Sequence, residues 1–172
     1  MRLHAVAFLI FAFPTLLRAG PGGILITSPD FAPGAAIPAR FTCQGQNISP
    51  ALAIANVPAS ARSLVLIVDD PDAPSGIFTH WLVWNIPPGT KSITAGESPP
   101  GALQGTNDFG SAGYSGPCPP SGTHRYDFQI RALNTLLNLP AGASRADVDA
   151  VIRGHIIATG LLMGRYAKTA RQ

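Results

Sequence analysis

The residues of this 172-residue chain best suited to chemistry are three carboxylates and two histidines set at the ends of apolar runs. Asp69, Asp70 and Asp72 follow the most apolar stretch after the N-terminal segment, Ser63-Leu64-Val65-Leu66-Ile67-Val68. His80 opens a second apolar run, His80-Trp81-Leu82-Val83-Trp84-Asn85, and His124 opens a third segment after a loop rich in Gly and Pro. A strand that runs from a core into charge is costly unless the charges are paired or used. Asp70 and Asp72 lie two positions apart, so in extended chain they share a side. If the 63–70 and 80–86 segments are neighbours, Asp70 and His80 meet at one end of a sheet. Three kinds of chemistry follow, beside a purely structural role. Histidines with a raised pKa, with backbone N–H groups of the Gly-rich loop, would hold a phosphate or carboxylate. Two histidines and a carboxylate could ligate a metal, although no His-x-His or His-x-x-x-His spacing supports this. A Ser–His–Asp set could hydrolyse esters, although Gly113-Tyr114-Ser115-Gly116 is not a nucleophile elbow. The same residues could also simply pair and brace the loops.

The elements that must position these residues read as mostly β. Ile24-Leu25-Ile26 and Leu52-Ala53-Ile54 are short strands bounded by Gly and Pro. Residues 63–68 and 81–86 read as central strands, being almost continuously apolar and rich in β-branched and aromatic residues. From Arg125 to Ala132 the alternation is clean: Tyr126, Phe128, Ile130 and Ala132 face one way, and Arg125, Asp127, Gln129 and Arg131 the other. The direction of His124 is not settled by that pattern. Ser144-Arg145-Ala146-Asp147 resembles a capping box that starts a helix with an apolar stripe of Val148, Val151 and Ile152, ended by Gly154. Residues 155–166 read as a final strand. The stretch from Thr90 to Pro120 has little periodicity, and loops that long are usually functional or disordered. Its aromatics, Phe109 and Tyr114, favour ordered packing.

Length favours one domain with a sizeable core. Hydrophobic residues make up 46% of the chain and charged ones 12%, and 18 Gly with 17 Pro favour turns and short strands over a helical bundle. Residues 1–19 read as a secretory signal, with Arg2 ahead of an apolar stretch from Ala5 to Leu17 and a small-residue point at Ala19-Gly20. Its loss leaves ten Lys/Arg against nine Asp/Glu, and no basic cluster points to nucleic acid. The expected address is secreted or periplasmic, with a domain over residues 20–172 and no stable membrane insertion. In an exported chain the two cysteines, Cys43 and Cys118, are expected to form a disulfide.

Asp70-Pro71-Asp72-Ala73-Pro74, His80-Trp81-Leu82-Val83-Trp84-Asn85 and the segment Gly116-Pro117-Cys118-Pro119-Pro120-Ser121-Gly122-Thr123-His124-Arg125-Tyr126 together resemble the phosphatidylethanolamine-binding protein family. The likeness is greatest to its compact prokaryotic branch, the Raf-kinase-inhibitor-like proteins. Phe41-Thr42-Cys43 and Asn47-Ile48-Ser49-Pro50 extend the match, which runs from about Ile26 to Tyr166. The resemblance implies a β-sandwich with one short helix near the C-terminus and a small pocket near one end. It implies Asp70, His80 and His124 as pocket residues, Tyr126 as a lining tyrosine, and Gly116, Cys118 and Pro120 in a loop whose backbone touches a bound anion. Asp72, Pro74 and Arg125 are read as structural, with Asp72 bracing the turn and Ala73–Pro74 the candidate for a cis bond. Animal members add a C-terminal helix that helps cover the pocket; this chain ends at Gln172, so that lid is expected to be absent or supplied by a partner chain. The function expected is non-catalytic binding of a small phosphate-bearing anion, tighter at mildly acidic pH, with no cofactor and no metal. A protein partner modulated by the ligand, a hydrolase built on Asp70, His80 and His124, and a surface-loop inhibitor of a kinase or protease are the other readings.

Overall fold

The computed structural model describes residues 23–168. The signal read at residues 1–19 lies outside the described residues. The elements run β1 (Leu25–Thr27), a short 3-10 turn (Ala39–Phe41), β2 (Leu52–Ala55), β3 (Ser63–Asp70), β4 (Phe78–Ile86), β5 (Ser92–Ile93), β6 (Leu103–Gln104), β7 (Thr123–Leu133), α1 (Arg145–Ile152) and β8 (Ile156–Ala167). Two sheets form, one of three strands in the order β1-β2-β5 and one of five in the order β6-β4-β3-β7-β8. All named pairings are antiparallel.

The five-stranded sheet is covered on both faces. Leu64, Leu66 and Val68 of β3 pack with Trp81, Val83, Tyr126, Phe128 and Ile130 against Ile26, Leu52, Ile54 and Ile93 of the small sheet. The alternate residues, Val65 and Ile67, join Leu82, Trp84, Leu133, Val148 and Ile152 under α1 and the 134–143 connection. Every residue of β3 is therefore buried, which explains why its sequence is continuously apolar rather than alternating. The expected β-sandwich with one helix is what forms.

Asp147 closes the capping box: its N–H donates to Ser144 Oγ, and its carboxylate accepts from the Ser144 N–H. Gly154, at φ +77°, takes the left-handed conformation that ends the helix. Val151 does not join the apolar stripe. In a two-turn helix Val148 and Ile152 cover the sheet, and Val151 falls at the rim, exposed. The long Thr90–Pro120 stretch holds β5 and β6, each of only two residues. Its aromatics are packed: Tyr114 O–H donates to the Phe41 carbonyl and its ring meets Trp81 edge-on.

Among the described residues there is no cis peptide bond, so Ala73–Pro74 is trans, contrary to expectation. Here Gly76 N–H donates to the Ala73 carbonyl, which puts Pro74 second in a four-residue turn. A trans proline suits that position, whereas a cis proline belongs third.

Candidate functional site

β3 reaches the end of the sheet with Asp69 and Asp70 still in the strand, so alternation sends them to opposite faces. Asp69 faces the helix. It accepts two hydrogen bonds from Arg145 Nη1, at 2.6 and 2.7 Å, and one from Thr79 Oγ1 at 3.1 Å. Its cross-strand partner on β7 is Asp127, whose pKa is raised by burial despite nearby Arg125, with Asp69 adding to the rise. Like charges directly opposite destabilise a ladder, and the Arg145 guanidinium offsets that. Asp69, which had no role readable from sequence, thus locks α1 onto the sheet.

Asp70 faces the other way, toward the sandwich. His124 Nδ1 lies 2.7 Å from its Oδ2, and Asp72 N–H donates to its Oδ1 at 2.9 Å. This settles the direction of His124, which is buried on the same face as Tyr126. Asp72 braces the turn: it accepts from the Arg125 backbone N–H and from Nε and Nη2 of the same side chain, at 2.9, 2.9 and 2.6 Å. Arg125 holds the Asp72 carboxyl far below the usual range.

His80 reaches this face through a β-bulge. Val68 pairs with Trp81, but the next residue, Asp69, pairs with Thr79, so His80 is an extra residue in β4. Strict alternation would have sent His80 away from Trp81 and toward the helix. Instead its ring meets Tyr126 edge-on at 5.2 Å and packs against Phe78 and Phe109 at 5.3 Å. Bulges next to functional sites re-aim a side chain in this way. The long loop is anchored on this residue through its carbonyl and its ring. Ser115 N–H donates to the His80 carbonyl, and His80 Nδ1 sits 2.6 Å from the Ser115 carbonyl. A carbonyl can only accept, so Nδ1 carries the hydrogen. Burial pushes the His80 pKa below its ordinary 6.5, the opposite of the raised value expected from sequence.

The loop itself is held by Asn107. Its Nδ2 donates to the Gly113 carbonyl and Ser115 Oγ, and its Oδ1 accepts from the Phe109 and Ser111 N–H groups. Further along, Cys43 and Cys118 are disulfide-bonded, with Cα atoms 5.4 Å apart, as expected. Cys43 N–H donates to the Pro117 carbonyl, and Gly116 N–H donates to Asn47 Oδ1 at 2.7 Å. A Cβ on Gly116 would sit 2.3 Å from the Phe41 carbonyl oxygen, so the glycine is needed for close approach of two loops.

These pieces enclose a cavity of about 190 Å³ lined by Asp70, Ala73, Pro74, Ser75, Phe78, His80, Phe109, Cys118, Pro119 and Pro120. Of the residues expected there, Asp70, His80, Cys118 and Pro120 line it, and Pro74 joins them. His124 stands behind Asp70, and Tyr126 behind His80. The Tyr126 hydroxyl is fully buried and has no hydrogen-bond partner among the described residues. Burial and the nearby Asp70 push its pKa well above the ordinary phenol range. Gly116 lies in the wall's support, its N–H already committed. Ser75, Phe78 and Phe109 were not anticipated; the edge-on stack of Phe78 with Phe109, 4.8 Å between centroids, had no signal in a loop without periodicity. Among the described residues no group of three or more His, Cys, Asp or Glu is placed to hold a metal ion.

The profile of the phosphatidylethanolamine-binding protein family matches residues 27–167, and the chain belongs to that family. A UPF0098 protein of Methanothermobacter thermautotrophicus is 50% identical over 137 residues, covering 77% of this chain and 91% of the relative. The crystal structure of a phosphatidylethanolamine-binding protein homolog, CT736 from Chlamydia trachomatis, superposes with a TM-score of 0.82 at 41% identity, covering 86% of this chain and 99% of that one. YbcL of E. coli, described as a new member of the mammalian family, superposes with a TM-score of 0.80 at 33% identity, covering 85% and 99%.

Proposed function

We propose that the protein binds a small phosphate-bearing anion, free or as a headgroup, in the cavity beside Asp70 and His80 and does no chemistry on it. The observation that carries this reading is the convergence on one cavity of a carboxylate, an imidazole and the Cys118–Pro120 wall from three separate segments. Its volume of about 190 Å³ is below the 300–1,000 Å³ of sites that enclose drug-sized ligands, which fits a headgroup or free ion better than a whole lipid. The Cys43–Cys118 bridge suits an oxidising compartment and so supports an exported protein. No helix among the described residues is long and apolar enough to cross a membrane.

A second reading is hydrolysis, because the His124–Asp70 pair at 2.7 Å is the kind of contact that orients a general base. One experiment separates the two. Titration calorimetry with inorganic phosphate and with a phosphomonoester, on wild type and Asp70→Asn, is expected to show saturable binding weakened at least tenfold in the variant. The same samples are assayed for phosphoester and ester turnover. Absence of saturable binding would sink the proposal, and turnover lost in His124→Ala would replace binding with hydrolysis.

A further inference from the structure

A second cavity, of about 240 Å³, shares no lining residue with the one beside Asp70 and His80. Its walls are fixed by hydrogen bonds that also decide which ends of its amides are left over. Trp81 Nε1 donates to Gln104 Oε1 at 2.8 Å. An indole N–H can only donate, so the Gln104 oxygen faces Trp81 and its NH2 is spare. The Gly116 backbone N–H donates to Asn47 Oδ1 at 2.7 Å, which leaves the Asn47 NH2 spare in the same way. The Gly96 N–H forks to the Ser49 carbonyl and hydroxyl, at 3.0 and 3.1 Å, and so ties down the loop that carries Glu97 and Ser98. The Ser98 hydroxyl is buried and has no hydrogen-bond partner among the described residues. Buried polar groups are rarely left in that state, and rotation about χ1 re-aims a serine hydroxyl without moving the backbone. Glu97 is exposed and lines the cavity beside it. Trp81 and Tyr114, edge-on with centroids 5.7 Å apart, supply the apolar part of the lining.

The lining thus offers two primary amides and a hydroxyl as spare donors and one carboxylate as acceptor, with no Lys, Arg or His. An ammonium ion brings donors only and leaves the amides unanswered. A phosphate or carboxylate brings acceptors only and meets the like charge of Glu97. A hydroxyl both donates and accepts, so several on one molecule answer the whole set. A peptide also does both, but it carries side chains, and the one aliphatic side chain in the lining is Ile48. We propose that this cavity binds a neutral polyhydroxylated ligand, a single sugar residue. The volume is below the 300–1,000 Å³ of sites for drug-sized ligands, which suits one ring. The amide groups of Asn47 and Gln104 and the Ser98 hydroxyl donate to sugar oxygens, and Glu97 accepts from a sugar hydroxyl. The site is independent of the anion-binding reading above.

The 15N-labelled wild-type protein is to be titrated with glucose, galactose, mannose and N-acetylglucosamine, each as the free sugar and as its methyl glycoside. The signals followed by NMR are the side-chain amides of Asn47 and Gln104 and the indole N–H of Trp81. At least one sugar is expected to move all three saturably. A methyl glycoside that binds as well as its free sugar assigns the site to the end of a glycan, and one that binds only weakly assigns it to a free sugar; both outcomes support the proposal. Saturating inorganic phosphate is expected to leave the sugar affinity unchanged. Glu97→Ala is expected to weaken sugar binding at least tenfold and Ser98→Ala several-fold, the scales of a charged and a neutral hydrogen bond. Neither side chain has a hydrogen-bond partner among the described residues, so both variants are expected to keep the wild-type Tm. Three results would overturn the proposal: no saturable shift with any sugar, sugar affinity unchanged in both variants, or competition by phosphate. Acetate or N-acetylglycinamide moving the same signals with equal or higher affinity would overturn it too, in favour of an anion or a peptide. Failure of phosphate to bind anywhere would count against the anion reading alone.

Discussion

Gly116→Ala adds one carbon where the structure leaves no room for it. The added Cβ would stand 2.3 Å from the Phe41 carbonyl oxygen, 2.8 Å from Asn47 Oδ1 and 2.9 Å from Thr42 Cα. Two of these are backbone atoms and cannot rotate away. The third is the acceptor of the Gly116 N–H, so relieving the clash also pulls that bond apart. Overpacking a tight site costs about 1–3 kcal/mol, and a lost hydrogen bond adds about 1 kcal/mol. A total of about 2–4 kcal/mol corresponds to a fall in Tm of roughly 5–15 °C for a domain of this size. Gly89 has no atom within 4 Å of its hypothetical Cβ and serves as the control. Both alanine variants are to be compared with wild type by urea and thermal unfolding with the disulfide intact. Gly89→Ala is expected to stay within about 0.5 kcal/mol of wild type. If Gly116→Ala also stays within that margin, the loops are not in the tight contact described and the argument for the cavity wall fails.

Asp69→Asn leaves the Arg145 guanidinium beside a neutral amide. With side-chain exposures of 4% for Asp69 and 20% for Arg145, the cost is expected at the low end for a broken buried pair, about 3 kcal/mol. The double variant with Arg145→Met should lose less than the sum of the single changes in a urea-unfolding cycle. His80 is held neutral by burial, so below about pH 6.5 the unfolded chain binds more protons than the folded one. Its contribution to stability is intact above that pH and lost as pH falls through the lower folded-state value. An NMR titration of the ring is expected to show a midpoint below 6.5, and a midpoint at or above 6.5 refutes it. Replacing both Cys43 and Cys118 by alanine opens a loop with a sequence separation of 75. In the chain-entropy picture this costs roughly 4 kcal/mol, read as a lower midpoint in chemical denaturation.

What could be read from the sequence was what repeats with a short period or sits within a few residues. The apolar runs of β3 and β4, the alternation of β7 and the Ser144–Asp147 cap each carry their signal locally, and each formed. The assembly of Asp70 with His124 followed from strand ends and from the family resemblance. Partners distant along the chain were not legible: Asp69 and Arg145 are 76 residues apart, and nothing local marks either as the other's partner. The two-residue strands β5 and β6 are too short to show periodicity. Gly116 was expected to touch the ligand because the family resemblance places it in the anion-contacting loop. What approaches is the Phe41–Thr42 backbone, and only three dimensions distinguish that from a ligand.

The extra residue in β4 has a consequence for how this site could arise or vanish. From Leu66 to Asp70 the ladder is regular on either side of His80, with Trp81 against Val68, Thr79 against Asp69 and Phe78 against Asp70. Removing that one codon would let the same pairs zip together without a bulge, and every core side chain would keep its place. The histidine is an insertion into a stretch of strand that is regular on both sides of it; the ladder's other register shift lies farther along, between Leu64 and Leu66. Within such a scaffold, gain or loss of the imidazole is a matter of reading length rather than of chemical substitution. Two chains could agree at every aligned core position and still differ in whether the cavity has a histidine.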